Sequence, residues 1–136
     1  MSVTASSTAK AVPLDGETCA SIDLAVAQWL RSPRATSLGR QRLRAFGVSE
    51  MEIEERRRCR SSNRRLAAIL RVAVTLVITR GRLEVRDRAL LPASDREELI
   101  AGIAQATSLA FLSVLLANEV DSNEPYPEVD LDVGDY

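Results

Sequence analysis

The sequence predicts an all-α fold, a bundle of about five helices of which two are long and apolar, and three observations carry that prediction. Aromatic residues make up only 4% of the chain while Ala, Leu and Arg abound, a composition that favours helices over a sandwich or barrel. Apolar residues recur at three- and four-residue spacing in several segments. Helix-start signatures, Ser49 with Glu52 and Ser94 with Glu97, precede two of those segments. At 136 residues one domain is expected, divided into a flexible arm over 1–16, a helical domain over 17–121 and a disordered acidic tail over 122–136.

Residues 1–16 are small and polar with Pro13 and Gly16, too poor in apolar surface to offset the entropy of ordering. From Thr18, Ile22, Leu24, Ala25, Val26, Trp29 and Leu30 form an apolar face that Ser32-Pro33 stops. A second helix over roughly 36–46 carries Leu38, Leu43 and Phe46 on one side, Arg40, Arg42 and Arg44 around the rest, and ends at Gly47. The third opens at Ser49, with Glu50, Glu52, Glu54 and Glu55 early and Arg56, Arg57, Arg58 and Arg60 late, an order that suits the helix dipole.

Ser61, Ser62 and Asn63 offer a break and a fresh cap for a helix over 64–79, with Leu66, Ile69, Leu70, Ala73, Leu76 and Val77 at helical spacing and Gly81 closing it. Over 72–86 a hairpin rivals this reading, because Val72 to Thr79 is rich in β-branched residues and Arg80-Gly81 would serve as its turn. Helix is preferred, since Leu66 to Leu70 continue the same face upstream and Ala67-Ala68 are strong helix formers. The Ser94 capping box then opens the clearest element, from Asp95 to about Val120.

Between Leu99 and Asn118 no residue is charged, which is long enough to span a bilayer. Gly102, Gln105, Thr107, Ser108 and Ser113 lower its hydrophobicity and no basic cluster flanks it, so a helix buried by neighbours or a second subunit is expected instead. The candidate interface residues are Ile103, Leu109, Phe111, Leu112, Leu115 and Leu116, with a homo-oligomer the expected assembly and no membrane partner.

The chain has no His, which excludes histidine-dependent triads and the commonest metal ligand. Its two cysteines, Cys19 and Cys59, lie far apart without ligand spacing, so neither metal nor cofactor is expected. The N-terminus lacks an apolar run behind a basic start, and a cytoplasmic location with reduced thiols is the corresponding expectation. Cys19, near the first turn of a helix, is the one candidate catalytic residue, because a helix N-terminus lowers a thiol pKa; Arg58 and Arg60 would do the same for Cys59.

The net charge of −1 conceals a split. Residues 31–88 hold sixteen Arg against six acids, and residues 89–136 hold one Arg against ten acids. Either the basic middle meets an anionic partner, nucleic acid included, or it pairs with the acidic tail of the same or another chain. Arg57, Arg58, Arg60, Arg64 and Arg65 are the candidate anion contacts, without interleaved aromatics for stacking on single strands.

The order of three segments resembles the carboxymuconolactone decarboxylase and alkylhydroperoxidase D superfamily. They are Ala45-Phe-Gly-Val-Ser-Glu-Met-Glu-Ile53, Arg65-Leu-Ala-Ala-Ile-Leu through Val77-Ile-Thr-Arg-Gly81, and Ser94-Asp-Arg-Glu-Glu-Leu-Ile-Ala through Ala117-Asn118-Glu-Val-Asp121, covering residues 45–121. The resemblance implies an all-helical protein that assembles through its helices. It also implies a Cys-x-x-Cys-x-x-x-His motif for peroxide reduction, but if Cys19 takes the first position, Ile22 and Val26 stand where the second Cys and the His belong. The chain is thus expected to be a divergent, truncated member without redox chemistry, residual thiol-dependent peroxidase activity being the alternative.

Overall fold

The computed structural model describes residues 13–120, among which there are six helices and no strand. They are α1 (Gly16–Trp29), α2 (Pro33–Ala45), α3 (Glu50–Arg57), α4 (Arg64–Ile78), the single turn α5 (Val85–Arg88) and α6 (Arg96–Val120). The helix preferred over 64–79 is present and the rival hairpin over 72–86 is not: α4 runs to Ile78 and closes through Gly81, at φ +95°, whose N–H donates to the Leu76 carbonyl. Of the arm expected over 1–16, residues 1–12 lie outside the described residues, as does the whole tail expected over 122–136.

The other expected boundaries shift for local reasons. Asp15 and Gly16 belong to the domain, because the Asp15 carboxylate accepts from the Thr18 N–H at 2.7 Å and caps α1. Ser32-Pro33 starts α2 rather than merely ending α1: Ser32 caps it, accepting from the Ala35 N–H, and Pro33 sits where a missing N–H costs nothing. Asp95, one residue after Ser94, takes the cap position of α6, its carbonyl accepting from Leu99 N.

α1 is the axis of the bundle. Ala20, Ser21, Ile22, Leu24, Ala25, Val26 and Ala27 are all buried, as an element apolar on every side requires. The main core joins Ile22 and Val26 of α1 to Ile69, Leu70, Val72 and Ala73 of α4 and to Leu99, Ile103, Ala106 and Ala110 of α6. Leu24 meets Leu43 and Ile53 beneath α2 and α3. At the far end Ala27, Ala35, Val114 and Ala117 close the gap between α1, α2 and α6.

α2 buries a different face from the one expected. Ala35, Gly39 and Leu43 face inward, whereas Leu38 and Phe46 are exposed. The cause is close approach: a Cβ on Gly39 would lie 3.2 Å from both Cα and Cβ of Leu24, so only small residues fit along this seam. α3 is tied down by charge. Arg56, 7% exposed, donates to Glu52 at 2.7 Å, Glu17 at 3.0 Å and Ser21 Oγ at 3.1 Å, while Ser61 and Ser62 also donate to Glu52. One guanidinium therefore joins α1, α3 and, through Glu52, the turn into α4, with its buried charge compensated.

Candidate interaction face

α6 presents two unlike sides. Leu99, Ile103, Ala106, Ala110, Val114 and Ala117 point into the chain's own core. On the opposite side Leu109, Phe111, Leu112, Leu115 and Leu116 are between 41% and 63% exposed. Of the six interface residues expected from sequence, five thus lie together on one open face. Ile103 does not, being fully buried between α1 and α4. Position 103 shares helical phase with the core positions 106, 110 and 114, a distinction lost when every residue in the segment is uncharged.

The five residues leave roughly 500 Å² of contiguous apolar surface open, toward the upper end of the largest patch that a monomer carries. Beside them runs a groove of about 580 Å³ between α6 and the end of α4, lined by Leu76, Val77, Ala104, Thr107, Phe111 and Leu112. The Thr107 hydroxyl on its wall is buried and has no partner among the described residues. Ile78, half exposed, extends the apolar surface along α4.

The thiols occupy environments opposite to those that activation requires. Burial pushes the Cys19 thiol up, with Asp23 and Asp15 adding to the effect against a smaller opposing pull from Arg42, and its Sγ donates to the Leu14 carbonyl. Burial is the main cause, and the carboxylates of the cap and of the next turn act in the same direction. Cys59 is pushed up to about 11 by burial, with only Arg71 opposing, so its neighbours Arg58 and Arg60 do not activate it. Ile22 and Val26, at the positions of the resolving thiol and the His, are fully buried in the core.

The expected anion contacts divide. Arg57 makes two bonds to Glu54, and Arg65 lies 3.9 Å from Asp95. Arg58, Arg60 and Arg64 are exposed around the α3–α4 corner and make no ion pair among the described residues.

Sequence reasoning missed a second basic surface. A cleft of about 700 Å³ at the α1–α2 junction is lined by Trp29, Arg31, Thr36, Ser37, Arg40 and Arg44. The available signal was the segment 33–45, which holds four Arg and no acid. No family model, curated protein or solved structure matches this chain.

Proposed function

We propose that the protein is a non-catalytic helical assembly module of the cytoplasm, a divergent alkylhydroperoxidase D-like domain without its redox motif, that self-associates through the outer face of α6. The observation that carries this reading is the patch of Leu109, Phe111, Leu112, Leu115 and Leu116 on a helix whose inner face is already committed to the core. Two copies stacked across it would bury about 1,000 Å² from these residues alone, the area at which specific interfaces begin. Residues 99–118 carry no charge, so the two copies of α6 do not repel each other directly, and Arg80 stands at the edge of the groove.

The groove beside α4 offers space for an apolar side chain of the partner. α6 is long and apolar enough to cross a membrane, but 39% of that stretch is buried inside the chain, and spanning would strip Leu99 and Ile103 from the core. The raised thiol pKa values and the apolar residues at the two motif positions leave no machinery for peroxide reduction.

Leu112 lies near the centre of the patch, where a two-fold axis brings a residue against its own copy. Leu112→Cys, in a Cys19→Ser/Cys59→Ser background, should cross-link into dimers under mild oxidation much faster than Met51→Cys, a more exposed position away from the patch. Equal rates would remove the reading.

Arg58, Arg60 and Arg64, exposed and without ion pairs among the described residues, support a second reading in which this corner contacts nucleic acid. It requires binding to duplex DNA that weakens steeply with salt and is lost in Arg58→Glu/Arg60→Glu. Binding indifferent to salt would dismiss it.

A further inference from the structure

We propose that the cleft between the end of α1 and the outer face of α2 seats the chain's own acidic C-terminal segment, residues 121–136, in cis. The cleft presents Arg31, Arg40 and Arg44 with Trp29, Thr36 and Ser37, and no carboxylate among the described residues lines it. One of its guanidinium groups keeps an unused donor. Arg40 pairs through one terminal nitrogen with Glu54 at 2.8 Å, yet its Nε is buried with no partner among the described residues. Arg44 pairs with the exposed Glu50 outside the lining, and α2 itself supplies four Arg and no acid.

The place where the chain leaves the bundle selects this cleft over the other basic surface. Ser32, between the cleft residues Arg31 and Pro33, donates to the Asn118 side chain at 3.1 Å, so the end of α6 lies beside the cleft. Arg58, Arg60 and Arg64 lie toward the opposite end of α6, whose start is marked by the Arg65–Asp95 contact, on the order of 35 Å away at 1.5 Å per residue. The eight residues 121–128 reach about 25 Å when extended, enough to bring Glu124 and Glu128 to the cleft and too short to bring them to that corner.

The chemistry is complementary. Residues 121–136 hold six acids and no base, and Glu124-Pro-Tyr-Pro-Glu128 places two carboxylates on either side of an aromatic ring, opposite guanidinium groups and the Trp29 indole. Tethering makes such an individually weak contact persistent, since a short linker holds its end at an effective concentration on the order of millimolar. The contact is independent of assembly through α6.

Trp29 is the only Trp of the chain, and its two Tyr, Tyr126 and Tyr136, both lie in the proposed guest. Tyrosine-to-tryptophan energy transfer in the full-length protein therefore reads docking directly. Transfer is expected at low salt, falling about twofold or more as ionic strength rises to about 1 M. It should be independent of protein concentration, lost in Arg31→Glu/Arg44→Glu and kept in Arg58→Glu/Arg60→Glu. Glu124→Gln/Glu128→Gln/Asp130→Asn, which alters no described residue, should abolish it without any change in the folded core. Transfer that survives neutralisation of the segment, that is lost equally in the Arg58/Arg60 variant, or that grows with protein concentration would overturn docking in cis.

Discussion

Replacing Leu112 with Asp separates the chain's own stability from its assembly. Leu112 is 53% exposed, so within one protomer the substitution touches little of the core and should shift stability by less than about 1 kcal/mol. In a two-fold assembly the same change occurs on both sides. About 90 Å² of leucine surface withdrawn from water is worth roughly 2 kcal/mol at 25 cal/mol per Å². Two copies make about 4 kcal/mol, a loss of about a thousandfold in association, before the cost of burying two carboxylates is added. Ile103→Ala is the contrasting change, since it opens a cavity in the core and should lower stability by about 2–5 kcal/mol. The assay is sedimentation velocity for mass, with thermal melts by circular dichroism alongside. A Leu112→Asp protein that keeps its assembled mass, or that melts as early as Ile103→Ala, would refute the reasoning.

Three further outcomes follow from the core and the thiols. Arg56→Met should destabilise the chain by about 3 kcal/mol, chiefly the cost of leaving the mostly buried Glu52 without its partner, measurable by urea denaturation. Burial alone would raise the Glu52 carboxyl, but bonds from Ser61, Arg56 and Ser62 outweigh it and hold the group below its ordinary value. Its contribution is therefore complete above the ordinary carboxylate range and lost as pH falls through the lowered native value, so the wild-type melting temperature should drop on acidification and the Arg56→Met slope should be shallower. Gly39→Leu should separate α1 from α2 and cost about 3 kcal/mol or more, seen as an early melt, because the clash is with the Leu24 backbone. Cys59, with a thiol pKa of about 11 against an ordinary 9.0, should react with a disulfide reagent at pH 8 roughly a hundredfold slower than a free thiol, in a stopped-flow trace.

Much of the architecture was legible locally. Ser49 and Asn63 cap α3 and α4 as their side chains advertise, and Gly81 ends α4 where a left-handed residue is needed. What escaped depends on contacts distant in sequence. The inward face of α2 is decided by how near α1 comes, and the spacing of Ala35 and Gly39 signals it only once the partner helix is known. Arg56 reads as one of many arginines until Glu17 and Ser21, more than thirty residues upstream, are seen beside it. Val85–Arg88 is a single turn held by reciprocal bonds between Glu84 and Asp87, too short for periodicity to reveal.

The candidate site was legible to the same degree. An uncharged stretch marked α6 as a buried or shared helix, and the structure sorts its residues by phase into a core stripe with Ile103 and an open stripe with Leu112 and its neighbours. The direction of the thiol shifts was not legible, because burial and the carboxylates of Asp15 and Asp23 act through space that sequence does not show. The Trp29–Arg44 cleft was hidden for the same reason, its walls coming from two helices whose angle across the short link 30–32 sequence does not show.

The most direct test of self-association through α6 is the absolute mass of the unmodified protein in solution, measured by light scattering across a concentration series. A stable integral multiple of the 14.9 kDa chain is the predicted result. A particle of 14.9 kDa at tens of micromolar would contradict it.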